Sequence, residues 1–131
     1  MATLFVNLPV KDIERSKAFF TSLGFDFFGM TPDMASVVIN EGAQVMLVSE
    51  ATFAGFASRD VGDPAGSTQA ILVVGLDTPA EVDELVEKAF AAGGTPTGTT
   101  TPDPSTGRYQ RGFADPDGFH WEALCLVRPG G

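Results

Sequence analysis

Three side chains near the end of the chain have residue types that could form a small polar site. His120, which is the only histidine, lies two residues before Glu122, and Arg111 precedes both. An imidazole beside a carboxylate can accept or donate a proton, and a guanidinium can bind an anionic group. The structural alternative is an ion pair between Arg111 and Glu122 across two strands, worth ~0.2–1 kcal/mol without any ligand. Both interpretations require these side chains to lie on one face of a sheet.

A predicted β-hairpin positions these side chains around a run of turn-forming residues, 115–118, with the sequence Asp-Pro-Asp-Gly. Such residues favour a tight turn. A four-residue loop pairs Ala114 with Phe119, and Arg111 with Glu122. The period-two alternation of a strand then separates a polar face from a core face. The predicted polar face carries Tyr109, Arg111, Phe113, His120, Glu122 and Leu124, and the core face carries Phe119, Trp121, Ala123 and Cys125.

The remaining sequence predicts two successive units with the same order, strand, helix and three strands. In the first unit, residues 1–49, Asp12 caps the helix and Gly24 ends it. In the second unit, residues 68–131, Thr78 begins a capping box, and apolar residues recur with helical spacing from Val82 to Phe90. Predicted strands occupy 3–10, 25–30, 35–39, 43–49, 69–76, 95–100 and the two arms of the hairpin. The predicted fold class is therefore α+β, with two tandem βαβββ modules in one domain, 1–131.

The segment that connects the two modules, residues 50–67, has neither strand nor helix periodicity. It contains three glycines together with Phe53 and Phe56. A loop of this length is typical of a functional or mobile segment, and exposed phenylalanines usually have a partner. We therefore expect Phe53 and Phe56 to belong to a cover over a ligand site or to a dimer contact.

The composition excludes several classes of partner. The 131 residues include 17 acidic and 8 basic side chains, which gives a net charge of −9. Nucleic acids and anionic membranes are bound by clustered Lys and Arg, so neither is an expected partner. The single cysteine excludes an intrachain disulfide and a cysteine-built zinc site. No apolar run approaches the ~20 residues of a membrane span, and no signal-peptide pattern is present, so a cytoplasmic location is expected.

Motifs at both ends of the chain resemble a known superfamily. Phe-Ala-Asp-Pro-Asp-Gly at 113–118, followed by Trp121-Glu122, is similar to the last hairpin of the glyoxalase/bleomycin-resistance/extradiol-dioxygenase proteins, the vicinal oxygen chelate superfamily. Leu-Pro-Val-Lys-Asp at 8–12 and Leu-Gly-Phe at 23–25 resemble its first strand, helix and second strand. The resemblance implies mixed sheets that form a concave, sheet-lined cavity, and pairing of two chains in a homodimer.

The resemblance also implies where a divalent metal would be bound in the metal-dependent members. Four strand positions supply His, Gln or Glu ligands there, and they fall on Phe5, close to Leu47, on Ala70 or Ile71, and on Glu122. Only Glu122 is a suitable ligand. A catalytic metal site usually needs three protein ligands, so no metal or other cofactor is expected.

These observations favour a protein that binds a small organic molecule in the cavity without a metal. The alternative is a metal-dependent isomerase of the lactoylglutathione lyase type or a dioxygenase, whose ligands would then lie at other positions. A third possibility is an interaction module whose cavity is filled by its own side chains. The candidate ligand-binding residues are Asn7, Gln69, Tyr109, Arg111, His120 and Glu122.

Overall fold

The computed structural model describes residues 2–98 and 107–126, which form two mixed sheets of four and three strands with helices beside them. The chain divides into two compact units, Met1–Asp63 and Pro64–Gly131. The predicted α+β fold class is therefore confirmed. None of the helices in the described part of the chain is long and apolar enough to cross a membrane.

The first unit contains a four-stranded sheet in the order β1-β4-β3-β2, with β1 parallel to β4 and the other neighbours antiparallel. Its elements are β1 Leu4–Val10, α1 Ile13–Ser22, β2 Asp26–Thr31, β3 Met34–Asn40, β4 Ala43–Ser49 and α2 Glu50–Phe56. Helix α1 begins as predicted, because the Asp12 side chain accepts a hydrogen bond from the backbone N–H of Arg15. Phe19 and Phe20 of this helix are buried.

One face of this sheet forms the core of the first unit against α1. Leu8, Val45 and Leu47 lie on this face and are less than 10% exposed. The opposite face carries Phe5 and its register neighbour Gln44, since paired residues on parallel strands point to the same side. Leu47, the residue nearest to one predicted family ligand position, is buried and points to the opposite side of the sheet from Phe5.

The connecting segment contains a helix that was not predicted. Residues Glu50–Phe56 form α2 directly after β4, and α2 contacts β1 and β4. The sequence gives no helical signal here, because the helix has fewer than two full turns, contains Gly55 and buries none of its residues. Ser49 at its N-cap makes no side-chain capping hydrogen bond.

The second unit contains a three-stranded sheet in the order β5-β7-β6, with β5 parallel and β6 antiparallel to β7. Its elements are β5 Ile71–Leu76, α3 Pro79–Ala91, β6 Arg108–Ala114 and β7 His120–Leu126. The predicted strand at 95–100 is described only to residue 98, where Thr95 forms an isolated bridge with Ala114. Residues 99–100 of that prediction lie outside the described residues.

Helix α3 has the predicted capping box. Thr78 Oγ1 accepts a hydrogen bond from the backbone N–H of Glu81 at 3.1 Å, and Pro79 occupies the first turn. The apolar residues with helical spacing, Val82, Leu85, Val86 and Ala89, are buried. They pack toward β6 and β7, so α3 covers one face of the second sheet.

The register of the hairpin differs by one residue from the prediction. Phe113 pairs with Trp121, and Gly112, rather than Arg111, pairs with Glu122. The connection has five residues instead of four, because Phe119 belongs to the turn. The Asp115 carboxylate accepts the backbone N–H of Phe119 at 3.0 Å, which removes that N–H from the strand ladder.

Candidate functional site

The polar centre of the second unit is a contact between two of the three side chains first considered from the sequence. His120 Nε2 lies 3.0 Å from Glu122 Oε1. Side-chain exposure is 14% for His120 and 6% for Glu122. The predicted proximity of His120 and Glu122 is therefore present in the structure.

The sheet places this pair on the face opposite α3. His120 and Glu122 lie at alternate positions of β7 and therefore point to the same side. On the parallel neighbour β5, Ile71 is beside His120 and Val73 is beside Glu122, and each of these aliphatic side chains is about half exposed. The pair thus lies next to accessible apolar surface.

The hydrogen bonding of Glu122 is incomplete. Within the described residues, Glu122 Oε2 is buried and has no hydrogen-bond partner, whereas Oε1 contacts His120. Buried polar atoms almost always have a partner, and leaving one unsatisfied costs ~1–3 kcal/mol, more for a charged group. A purely structural role for Glu122 does not explain why a buried carboxylate oxygen is left without a hydrogen-bond partner.

A cleft of about 230 Å³ opens beside His120 within the second unit. Its residues are small, hydroxyl-bearing or proline, apart from the imidazole. They are Pro64, Ala65, Gly66, Ser67, Thr68, Pro96, Thr97, Ala114, Gly118 and His120. Residues 64–68, 96 and 97 could not be singled out from the sequence, because they carry no motif and come together only through the fold.

The turn before β7 fixes the position of the pair. Asp115 Oδ1 accepts backbone N–H groups of residues 117, 118 and 119, and Oδ2 accepts the indole N–H of Trp121 at 3.1 Å. Burial raises the pKa of Asp115 to about 6, although the hydrogen bond from Trp121 acts in the opposite direction. The sequence identified Asp115 only as a turn former and gave no signal for its contact with Trp121.

The predicted placement of Arg111 and Tyr109 beside His120 is wrong. The one-residue shift in register puts both side chains on the α3 face together with Trp121. There Arg111 contacts Asp83 at 3.0 Å and Glu87 at 2.9 Å, and the Tyr109 hydroxyl donates to Asp83. The hydrogen bonds from Tyr109 and Arg111 lower the pKa of Asp83, and the hydrogen bond to Asp83 raises the pKa of Tyr109.

Phe113, also predicted on the polar face, moves to the α3 face for the same reason. It pairs with Trp121, and the two rings stack with centroids 6.3 Å apart. Leu124 remains on the face of His120, and Trp121, Ala123 and Cys125 form a buried face as predicted.

The other candidate residues lie outside this pair. Gln69 is exposed and precedes β5 instead of belonging to it. Asn7 is exposed on β1 of the first unit, on the face that also carries Phe5. Phe53 is partly exposed and Phe56 is 61% exposed, both on α2. The grouping of Asn7 with the hairpin side chains, and the function of the two phenylalanines, stay predictions.

A match with a family model decides the relationship to known proteins. The model described as Glyoxalase/Bleomycin resistance protein/Dioxygenase superfamily matches residues 3–123. The chain belongs to this superfamily. A search of curated proteins finds no match.

Several solved structures share the fold of this chain. Hypothetical protein SA1046 from S. aureus is 27% identical, with a TM-score of 0.81 over 96% of this chain and 94% of that one. A glyoxalase-related enzyme from Fulvimarina pelagi is 24% identical, with a TM-score of 0.80 over 95% and 88%. The fosfomycin resistance protein FosX from Listeria monocytogenes, solved with Mn(II) and sulfate, is 16% identical, with a TM-score of 0.71 over 96% and 90%.

The residues of this superfamily member do not fit the metal site of its metal-dependent relatives. Phe5 and Ile71 have no ligand atoms, and Leu47 is buried on the α1 side. Gln44, which shares a face with Phe5, accepts a hydrogen bond from Ser36. In residues 2–98 and 107–126, no three His, Cys, Asp or Glu side chains form a group that could hold a metal ion.

Proposed function

We propose that this superfamily member binds a small organic molecule on the sheet face of the His120–Glu122 pair, without a resident metal. The observation that carries the proposal is Glu122, a carboxylate 5% exposed whose Oε2 has no hydrogen-bond partner in the described residues. A ligand that supplies a hydrogen-bond donor would remove this deficit, provided that side chains around Glu122 move enough to admit it.

The surroundings of the pair are those of an organic ligand site. Such sites combine mostly apolar walls with a few well-placed polar groups. Ile71 and Val73 provide exposed apolar surface beside the pair, and His120 also lines the open cleft. Gln69, which directly precedes β5 in the same unit, stays a candidate polar contact, whereas Arg111 and Tyr109 lie on the opposite face of the sheet and are no longer candidates.

Ligand binding is tested with Glu122→Gln. The amide keeps the size of the side chain but removes the negative charge and one acceptor oxygen, so ligands extracted with the purified protein should be lost or bound at least about ten-fold more weakly. Native mass spectrometry of protein purified from cells, followed by titration of any released molecule, measures this effect. Arg111→Met is the matched control, because Arg111 lies on the opposite face of the sheet and should leave affinity unchanged. A Glu122→Gln variant that lost only thermal stability, with unchanged binding, would contradict the proposal.

The metal-independent part of the proposal has its own experiment. Elemental analysis of protein purified without chelators should give far less than one Zn, Ni, Fe or Mn per chain, because Glu122 is the only residue at the four family ligand positions that has donor atoms. Addition of EDTA should leave ligand affinity unchanged. One tightly bound metal ion per chain would instead support the alternative function, a metal-dependent isomerase or dioxygenase.

A further inference from the structure

We propose that the cleft beside His120 binds an N–H or O–H group of a small uncharged molecule, with His120 Nδ1 as the hydrogen-bond acceptor. This inference rests on the proposed function, since it assigns the chemical class of ligand that the His120–Glu122 pair takes. It adds a location, the cleft between residues 64–68 and 96–97, that the family resemblance does not assign.

The contact with Glu122 determines which imidazole nitrogen can accept. A carboxylate oxygen accepts hydrogen bonds, so a neutral His120 ring in this contact carries its hydrogen on Nε2, 3.0 Å from Glu122 Oε1. Nδ1 then has a lone pair and no hydrogen. Within the described residues, no protein donor forms a hydrogen bond to Nδ1. The ring is therefore oriented by Glu122 and retains one unused acceptor.

The lining of the cleft selects against anionic ligands. Neither Lys nor Arg is among the described residues that line it, so an anionic group would find no charge partner there. The Glu122 carboxylate behind the imidazole would also repel an anion. The hydroxyl-bearing residues Ser67, Thr68 and Thr97 suit a neutral polar group, such as a carbonyl next to the N–H that Nδ1 accepts.

The small residues around the cleft maintain its open form. Gly118 has φ of +101°, and a Cβ added there would lie 2.8 Å from the Cα of Ala65. The backbone of Pro64 and Ala65 therefore approaches the hairpin turn more closely than a side chain at position 118 would allow. The bridge between Thr95 and Ala114 holds the residues before Pro96 and Thr97 against β6. The cleft is thus bounded by backbone that the fold holds in place.

The tautomer of His120 provides a first test that needs no substitution. Because His120 is the only histidine, its two ring-nitrogen signals can be assigned directly by long-range ¹⁵N NMR. Under conditions in which the ring is neutral, we expect hydrogen on Nε2 and an unprotonated Nδ1. Hydrogen on Nδ1 would overturn the proposal, because this nitrogen could then no longer accept.

A pair of matched probes tests the cleft itself. N-methylacetamide has one N–H donor, and N,N-dimethylacetamide has the same carbonyl without the donor. We expect N-methylacetamide to shift the Nδ1 signal and the backbone amides of Ala65, Thr68 and Thr97, and to bind about five-fold more tightly, the value of one hydrogen bond of ~1 kcal/mol. Acetate should bind more weakly than either amide. Equal affinities of the two amides, or shifts confined to other residues, would refute the assignment.

Two variants separate this inference from the proposed function. His120→Phe should abolish the preference for N-methylacetamide, and Arg111→Met should preserve it; an unchanged backbone amide spectrum establishes that each variant is folded. If His120→Phe does not fold, the tautomer and the probe comparison in the unmodified chain decide the matter. If Glu122→Gln weakens the natural ligand while the two amides bind the unmodified chain equally, the proposed function stands and the cleft assignment fails. If Glu122→Gln leaves binding of the natural ligand unchanged and the two amides also bind equally, the proposed function and the cleft assignment both fail.

Discussion

Two buried carboxylates of the hairpin differ in how completely their oxygens are hydrogen-bonded. Asp115 is 4% exposed and accepts four N–H groups, whereas Glu122 is 5% exposed and has a partner on only one oxygen in the described residues. A fully satisfied carboxylate is explained by the turn that it stabilises. A carboxylate with one unpaired oxygen has no such structural explanation, because its burial is unfavourable without a further hydrogen-bond donor. This contrast assigns a structural role to Asp115 and leaves a ligand role for Glu122.

Asp115 should give folding stability a measurable dependence on pH. Its pKa is about 6 in the folded chain, above the usual value of 3.8, so the folded state binds the proton more tightly than the unfolded state. The contribution of Asp115 to the free energy of unfolding is therefore largest below pH about 4 and decreases as pH rises through about 6. The expected decrease is on the order of 3 kcal/mol.

The measurement is urea unfolding at a series of pH values, followed by the fluorescence of Trp121, the only tryptophan. The difference in unfolding free energy between the unmodified chain and Asp115→Asn isolates the Asp115 contribution, since other titrating groups are common to both. This difference should fall between pH 4 and pH 6 and be constant above pH about 7. A difference that stayed constant over the whole range, or rose, would show that the hydrogen bonds to Asp115 outweigh its burial.

At the scale of the elements, the hairpin shows what local sequence patterns can and cannot determine. The two arms and the turn formers were predictable, because apolar alternation and Asp-Pro-Asp-Gly are local signals. The register was not, because it depends on whether the N–H of Phe119 pairs with the opposite strand or with the Asp115 side chain. That single choice reversed the faces of Tyr109 and Arg111. Only the His120–Glu122 part of the site could be predicted. Both residues lie on one strand, so their position on a common face does not depend on the register between strands.

The close approach of Pro64 and Ala65 to the hairpin turn predicts a severe effect of Gly118→Ala. The alanine would have an unfavourable positive φ and would force its Cβ against the Ala65 backbone. Positive φ costs roughly 1–2 kcal/mol and overpacking a further ~1–3 kcal/mol, so a loss of about 2–5 kcal/mol of unfolding free energy is expected.

Gly24→Ala is the matched control for this experiment. Gly24 has a similar φ of +97°, but an added Cβ would have no neighbour within 4 Å. Its substitution should therefore cost only the conformational part, roughly 1–2 kcal/mol, in the same urea unfolding experiment. Equal losses for Gly24→Ala and Gly118→Ala would mean that the Cβ added at position 118 causes no steric conflict with the Ala65 backbone.

For the whole molecule, the positions of α1, of α3 and of the strands of the first sheet were the most predictable features. Capping residues and helical spacing located α1 and α3, and apolar runs separated by turn formers located the strands of the first sheet. The sequence did not reveal α2, whose seven residues bury no side chain, or the cleft, whose lining residues come from distant segments. Features that arise from tertiary contact, without a local pattern, were the ones that sequence reasoning missed.

The last prediction is that two copies of the chain form a homodimer. Eight large apolar side chains are at least half exposed in the described part of the single chain, namely Leu4, Phe5, Phe28, Met30, Phe56, Ile71, Val73 and Leu126. Phe28 and Met30 lie on β2, an edge strand of the four-stranded sheet. An open edge with exposed apolar side chains is unfavourable in water, and pairing with a second copy would bury it.

Sedimentation velocity at micromolar concentration should therefore give a dimer, and Phe28→Glu should shift it toward monomer by burying an unpaired charge in the interface. Phe56→Glu on α2 is the comparison, because Phe28 and Phe56 are 71% and 61% exposed, respectively. If Phe56→Glu alone dissociates the dimer, the contact runs through α2, as the sequence first suggested for the connecting segment, and the role of β2 is wrong. A monomer for the unmodified chain would contradict pairing altogether, and the exposed apolar face beside His120 would then have to be explained by ligand binding alone.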